Sequence, residues 1–335
     1  MNKIVLSTIV LGAMMMAAAF VNYNTVKETL DVKTFELFQQ WAATHNKQYG
    51  TIQEMTYRIG LFYKTLLKVT AHNKSGATWT EGLNQFSDMT LEEVKAKYFG
   101  LAANNDYSED NVRIFPEDTP VANDIDWNAA GAVTPVKNQG NCGSCWAFSA
   151  TGAMEGLYFL TVGQKQTLLS FSEQQLVDCS GSYGNQGCNG GLMNNAFQFV
   201  IKNGIDTETQ YPYKAVQGTC QKMTATWTGL KSFFNVQKKS ASQLVKALNQ
   251  QPVSVAIHAD TIINYTGGVY SNPACGTQLD HGVLATGYTS DVWNVKNSWG
   301  TSWGEQGYIR FSRTADPDWL GGECGILLAA SCPTD

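Results

Sequence analysis

Apolar positions along this 335-residue chain follow three kinds of spacing, and each predicts a different element. The first is continuous: behind Lys3, residues 4–20 carry no charge and end in the small residues Ala17 to Ala19. A basic start, an apolar middle and a small-residue end predict a secretory signal peptide over residues 1–19, cleaved after Ala19. A retained signal anchor is the alternative, because the run is near the lower limit for spanning a bilayer. The second spacing is helical. Glu54, Arg58, Phe62, Thr65, Val69 and Asn73 recur at three- and four-residue steps and form one stripe along a long helix. Helical runs are also predicted over 145–159, 172–179 and 192–203. The third spacing is that of short Val/Ile/Tyr-rich strands, at Val253–Ile257, 283–288, 293–296 and 308–311, all beyond about residue 234. Alternating Asn84, Phe86 and Asp88 predict a short strand followed by a turn. Residues 102–124, rich in Asn, Asp, Glu and Pro, predict an exposed linker.

The candidate chemistry begins where one helical run starts. Residues 139–148 read Gln-Gly-Asn-Cys-Gly-Ser-Cys-Trp-Ala-Phe, and Ala150, Ala153, Met154 and Leu157 continue with helical spacing. Cys145 therefore belongs to a first helical turn, where free N–H groups and the macrodipole favour a thiolate. A thiolate is the nucleophile of cysteine hydrolases. Cys-x-x-Cys also serves redox and zinc sites. The Gly-rich, Trp-flanked context does not suggest a thioredoxin-like βαβ unit, and Cys179 and Cys188 are too far apart to make a second close pair.

A cysteine nucleophile needs a base. Of the four histidines, His45 and His72 fall in a region read below as removable. His281 stands in a short apolar run, Leu279 to Tyr288, that predicts a buried strand. His258, at the end of another run, is its rival. Asn297 could accept an imidazole N–H and fix its tautomer. Gln139 could aim its side-chain N–H at a developing oxyanion, together with the Cys145 N–H.

These strings resemble the papain family of cysteine endopeptidases, cathepsin L type, carried as a full precursor. His281 and Asn297 lie 136 and 152 residues after Cys145, and the family places its His and Asn about 130–150 residues downstream. Asp126-Trp127, Gly187 to Gly191, Asn297 to Gly300 and Cys324 to Ile326 extend the match. The 54–73 stripe resembles the family's pro-helix motif, with Thr65 and Val69 in place of Asn and Ile. Gly82 to Asp88 matches a second pro-region motif in full. The resemblance implies an α+β, papain-like two-lobe fold: a helical N-terminal lobe, a β-barrel-like C-terminal lobe and a cleft between them. A mainly helical inhibitory propeptide over residues 20–120 precedes the mature protease at 121–335.

It further implies catalysis by Cys145, His281, Asn297 and Gln139, with Trp299 shielding the His281–Asn297 bond. Leu192, Met193, Ala256, Leu279, Gly282 and Ala329 line the pocket for the residue two before the cleaved bond, the P2 residue, and predict a hydrophobic preference. Gly190 and Gly191 let substrate backbone pair closely. Hydrolysis passes through a thioester acyl-enzyme without a metal or organic cofactor. A non-hydrolytic relative should lack one of the four catalytic residues, and none is lacking. A ligase using the same acyl-enzyme stays open. No His-rich insertion lies between Cys179 and Cys220, which favours an endopeptidase over an exopeptidase.

Charge narrows the partners. Residues 121–335 hold twelve Lys/Arg against fifteen Asp/Glu, without a basic cluster. Nucleic acid and anionic membrane are thereby disfavoured. Protein and peptide substrates and the chain's own propeptide remain, for a monomer without stable membrane insertion. All eight cysteines follow residue 121, behind a signal peptide, which implies an oxidising compartment: the secretory pathway, ending in a lysosome, an acidic vacuole or outside the cell. The resemblance assigns bridges Cys142–Cys188, Cys179–Cys220 and Cys275–Cys324; spacing alone leaves the connectivity open. Cys332 is left as a free thiol or a competitor for Cys275. Asn264-Tyr-Thr266 is a glycosylation acceptor by pattern, and Asn73 opens another in the pro-region. Glu54 and Arg58, four apart on the pro-helix, are spaced for an ion pair, and Asp88 should have a donor or cation partner. Acid that protonates such carboxylates should loosen the pro-segment and start self-processing.

Overall fold

A computed structural model of the chain describes residues 32–102, 111–314 and 320–335. The expected signal peptide lies outside the described residues. The chain divides into two compact units: residues 32–71 with Leu83–Met89, and His72–Gly82 with the described residues of Thr90–Asp335.

The first unit is built on helices α1 (Val32–Thr44) and α2 (Ile52–Asn73), the second of which carries the predicted stripe. Ile59, Phe62 and Val69 are its buried residues, and Phe62 and Ile59 pack with Phe38 and Trp41 of α1. Thr65, where the resemblance leads one to expect Asn, turns its hydroxyl back onto the Leu61 carbonyl (3.1 Å). Glu54 accepts the Gly50 N–H, and Arg58 donates to the Asp88 carbonyl. Asp88 has the partners expected of it: Lys47 Nζ at 2.7 Å and the Tyr49 hydroxyl at 2.9 Å. The strand expected at 84–88 is not there. Asn84 Oδ1 accepts the Phe86 N–H and Ser87 Oγ accepts the Asn84 N–H, so local side-chain bonds close a turn instead.

In the second unit, strand β1 (Trp79–Glu81) pairs antiparallel with a later strand, Tyr265–Tyr270. Asn73 fastens β1 to the end of α2 by two bonds to the backbone of Glu81. Helix α3 (Leu91–Tyr98) starts on a Thr90/Glu93 capping box, in which both side chains satisfy N–H groups left open at a helix start. Strands β2 (Val112–Arg113) and β3 (Ile125–Asp126) follow. The described part of the expected linker is therefore not wholly exposed. Val112 pairs with Asn235, and Phe115 is buried with its N–H on Gln243 Oε1. An apolar side chain and two strand residues within a polar composition account for the difference.

Helices α4 (Cys145–Thr161), α5 (Glu173–Cys179) and α6 (Met193–Asn203) match the predicted runs within two residues at each end. Strand β4 (Ser232–Val236), helix α7 (Ala241–Leu248) and strands β5 (Val253–Ile257), β6 (Tyr265–Tyr270), β7 (His281–Tyr288), β8 (Val292–Lys296), β9 (Tyr308–Ser312) and β10 (Ala330–Thr334) complete the unit. The strands run in the order β1-β6-β9-β8-β7-β5-β10-β4-β2, with β3 also on β7. Helices precede sheet as in the expected two-lobe α+β architecture, and the sheet is an open path rather than a closed barrel.

Helix α4 joins the helical part to the sheet. Fourteen of its seventeen residues are buried, because it packs on β7 on one side and on α6 on another. A Cβ at Gly152 would stand 2.8 Å from Leu284, so glycine lets helix and strand approach. Ser149 Oγ donates to the Val283 carbonyl and Ser254 Oγ to the Ser149 carbonyl, which fixes the register between α4, β7 and β5. Cys142–Cys188, Cys179–Cys220 and Cys275–Cys324 are bridged, and Cys332 is a buried free thiol. Bridges closing loops of this length contribute about 4 kcal/mol each in the chain-entropy account. Among the described residues no helix is long and apolar enough to cross a membrane.

Candidate active site

Cys145 is the first residue of α4, fully buried, and its Sγ accepts the Gly282 N–H at 3.3 Å. Gly282 follows His281, so this bond sets the start of β7 against the start of α4. A side chain at Gly282 would crowd Trp146 Cα (3.2 Å) and Met193 Sδ (3.3 Å). Pairing of β7 with β8 carries the chain to Asn297, one residue past the strand. His281 Nε2 and Asn297 Oδ1 are 2.7 Å apart. The Ser298 N–H also donates to Asn297 Oδ1, which identifies that atom as the acceptor and places the imidazole proton on Nε2. Nδ1 of His281 is left without a hydrogen-bond partner among the described residues, its lone pair free to take a proton.

Gln139 is fixed with equal definition. Its Oε1 accepts the Ser298 hydroxyl (2.7 Å), so its Nε2 is the donor end, directed to the carbonyls of Tyr98 (2.8 Å) and Cys142 (2.9 Å). Trp299 lies against the His281 ring at 4.7 Å, and Phe99 stacks on Trp299 at 6.0 Å and 3°.

Residues 98–102 run through this site. With the Tyr98 carbonyl on Gln139, the Gly100 carbonyl accepts the Gly191 N–H (2.9 Å) and the Ala102 N–H reaches the Gly191 carbonyl (3.2 Å). Leu101 and Gly191 thus form a parallel bridge. Leu101 packs on the cluster that contains Met193, Ala256 and Ala329, and Leu279 packs on the same cluster. Leu192 is half-buried at the start of α6, with its N–H on Asn185. A Cβ on Gly100 would be 1.9 Å from the Gly143 carbonyl oxygen, so only glycine passes over the thiol at this height.

The cover removes water from Cys145 and His281. Burial pushes the Cys145 thiol up to about 11, against the pull of the Gly282, Gly100 and Trp146 N–H groups. Burial also pushes His281 down to about 4, against its bond to Asn297. In this form the pair is thiol and neutral imidazole. Burial favours these neutral forms, because charged forms lose more hydration than neutral ones.

Comparison with known proteins decides the identity. Residues 121–334 match the family model described as "Papain family cysteine protease". The chain belongs to the papain family. Residues 38–94 match the cathepsin propeptide inhibitor domain (I29), so this cysteine protease carries its own intramolecular inhibitor. It is 42% identical over 312 residues to a cathepsin L-like proteinase of Fasciola hepatica, covering 89% of this chain and 93% of that protein. It is 43% identical over 317 residues to the cysteine protease XCP2 of Arabidopsis thaliana, covering 90% of this chain and 86% of that protein. The structure of a digestive procathepsin L 3 from Tenebrio molitor larval midgut aligns with a TM-score of 0.81 at 38% identity, covering 91% of this chain and all of that one.

The structure brings Cys145, His281, Asn297, Gln139 and Trp299 together, with Gly190 beside Gly100, Gly191 beside Trp146, Gly282 beside Met193, and Met193, Ala256, Leu279 and Ala329 in one apolar cluster. His258 stands apart, its Nδ1 on the Gln278 carbonyl and beside Asp280. Asn264 is buried, and its Nδ2 has no partner among the described residues. Sequence reasoning missed Ser298, which orients both Gln139 and Asn297, and it missed residues 98–101. The small, apolar Phe-Gly-Leu that directly follows α3 was the available signal.

Proposed function

We propose that the chain is an endopeptidase zymogen in which Cys145 is the nucleophile and His281 the general base and acid. Asn297 orients His281, and Gln139 with the Cys145 N–H binds the oxyanion. The observation that carries this reading is the Tyr98 carbonyl on Gln139 Nε2, with Leu101 on the apolar cluster. A carbonyl and a P2-like side chain are held where substrate groups react. The Leu101–Gly191 bridge is parallel, whereas a productive substrate pairs antiparallel, so the segment occupies the cleft with reversed polarity and presents no bond for attack.

Once the segment leaves, water returns to the cleft and Cys145 transfers its proton to His281 Nδ1. The thiolate adds to a peptide carbonyl, forming a C–S bond, and the oxyanion settles on Gln139. The intermediate collapses as the C–N bond breaks, with His281 giving its proton to the amine. Water then cleaves the thioester. Removal of residues 20–120 leaves a mature enzyme of residues 121–335, a monomer without membrane insertion. Its route is the secretory pathway, to a lysosome, an acidic vacuole or the exterior, in keeping with three disulfides.

An apolar pocket has no partner for a cation, so substrates with Leu or Phe at P2 are cut well and those with Arg poorly. The test is hydrolysis of a Phe-Arg dipeptidyl reporter and of a P2 peptide library by acid-processed protein. Activity abolished by a thiol-directed epoxide and by Cys145→Ala, with Leu or Phe preferred at P2, is expected. Activity surviving Cys145→Ala, or Arg preferred at P2, refutes it.

A further inference from the structure

Near the thiol lies a polar group that the mechanism does not use; its Asp280 carbonyl accepts the Leu101 N–H (3.2 Å), while the Asp280 side chain turns to His258. His258 follows β5, Asp260 stands two residues on, and Asp280 directly precedes His281. The His258 ring lies between the two carboxylates, with Nδ1 3.3 Å from Asp280 Oδ2 and Nε2 3.6 Å from Asp260 Oδ2. Asp280 is held by the Ala259 N–H on Oδ1 (2.8 Å). With both carboxylates ionised, the group is negative whether or not the ring is protonated. All three side chains are partly open to solvent, between 13% and 22% exposed. In this precursor a cation is seated on them: Lys95 of α3 places Nζ 2.6 Å from Asp260 Oδ2. Lys95 lies in the part proposed to be removed, so processing frees the acidic group.

The direction of the chain tells which substrate residue the group would meet. From Leu101 on the apolar pocket, the segment passes Gly100 over the thiol and Tyr98 at Gln139, and then continues back to Lys95. In a substrate of opposite polarity, that same side of the thiol takes the residues after the scissile bond. Resting on the endopeptidase reading above, we propose that Asp260, with Asp280 and His258, forms a subsite for a Lys or Arg side chain just C-terminal to the cleaved bond. Lys95 is its internal occupant in the zymogen. The enzyme then selects an apolar residue before the bond and a basic one after it.

A partly exposed ion pair is worth about 0.2–1 kcal/mol, so the preference is modest, up to about fivefold. The experiment compares kcat/KM of processed enzyme for quenched-fluorescence peptides that share Leu at P2 and differ only in the first two residues after the bond: Lys, Ala or Glu. Lys over Ala by about threefold to fivefold is expected, with Glu below Ala, and the ratio should shrink in high salt. In Asp260→Asn the Lys/Ala ratio should fall toward one. A ratio near one in the unaltered enzyme, or a ratio that Asp260→Asn leaves in place, overturns the subsite. The Phe-Arg reporter separates the two readings: if it is not cut, the endopeptidase assignment has failed, and if it is cut while Lys and Ala peptides are equal, only the subsite has.

Discussion

Two side chains beside Cys145, those of Asn297 and Gln139, are oriented by one neighbour that sequence patterns did not reveal. Ser298 gives its N–H to Asn297 Oδ1 and its hydroxyl to Gln139 Oε1. Those two bonds decide which end of each amide faces the reaction. Cys145, His281, Asn297 and Gln139 were legible because each stands in a distinctive local string. Ser298 was not, since a serine is uninformative until its partners, 159 positions away in the case of Gln139, are brought together. Removing the Gln139 donor should cost processed enzyme about 10²–10³ in kcat with little change in KM, as for other oxyanion donors. Steady-state kinetics of Gln139→Ala checks this, and a variant affected only in KM would place Gln139 in substrate binding instead.

At the scale of elements, the strands β5, β7, β8 and β9 and helices α4, α5 and α6 were readable because their burial is one-sided or complete and their periods are clean. The stretch from α3 to Leu101 was not, because a chain that lies in a cleft follows the cleft's shape and not a period of its own. Its one sequence requirement is a glycine at position 100, under the Gly143 carbonyl. Forcing a Cβ into that space costs about 1–3 kcal/mol, and the displaced segment uncovers the thiol. Gly100→Ala precursor, still uncleaved on a gel at neutral pH, should therefore hydrolyse the Phe-Arg reporter about tenfold or more faster than the unaltered precursor. Equal rates would mean that residues 98–101 do not hold the site closed.

For the whole molecule, burial of His281 couples closure to pH. The closed form keeps the imidazole neutral, with its value lowered from 6.5 to about 4 by burial. A lowered value means that closure is favoured above pH 6.5 and loses that advantage as pH falls toward about 4, by roughly 3 kcal/mol at the limit. Asp88 holds Lys47 and Tyr49 in the first unit, so removing its charge should loosen the pro-segment. A gel time course should show self-processing setting in between these limits, and Asp88→Asn should move the onset toward neutral pH. An onset unmoved by Asp88→Asn would remove that carboxylate from the switch. The central claim is that residues 98–101 keep Cys145 a buried thiol and that their departure makes it a thiolate. Its most direct test is the rate at which a small alkylating reagent modifies Cys145 as a function of pH, in the precursor and in processed enzyme, with the modified residue identified by peptide mass. Slow labelling of the precursor that rises only toward about pH 11, beside fast labelling of the processed enzyme already at acid to neutral pH, is the predicted result. Identical profiles in the two forms would contradict it.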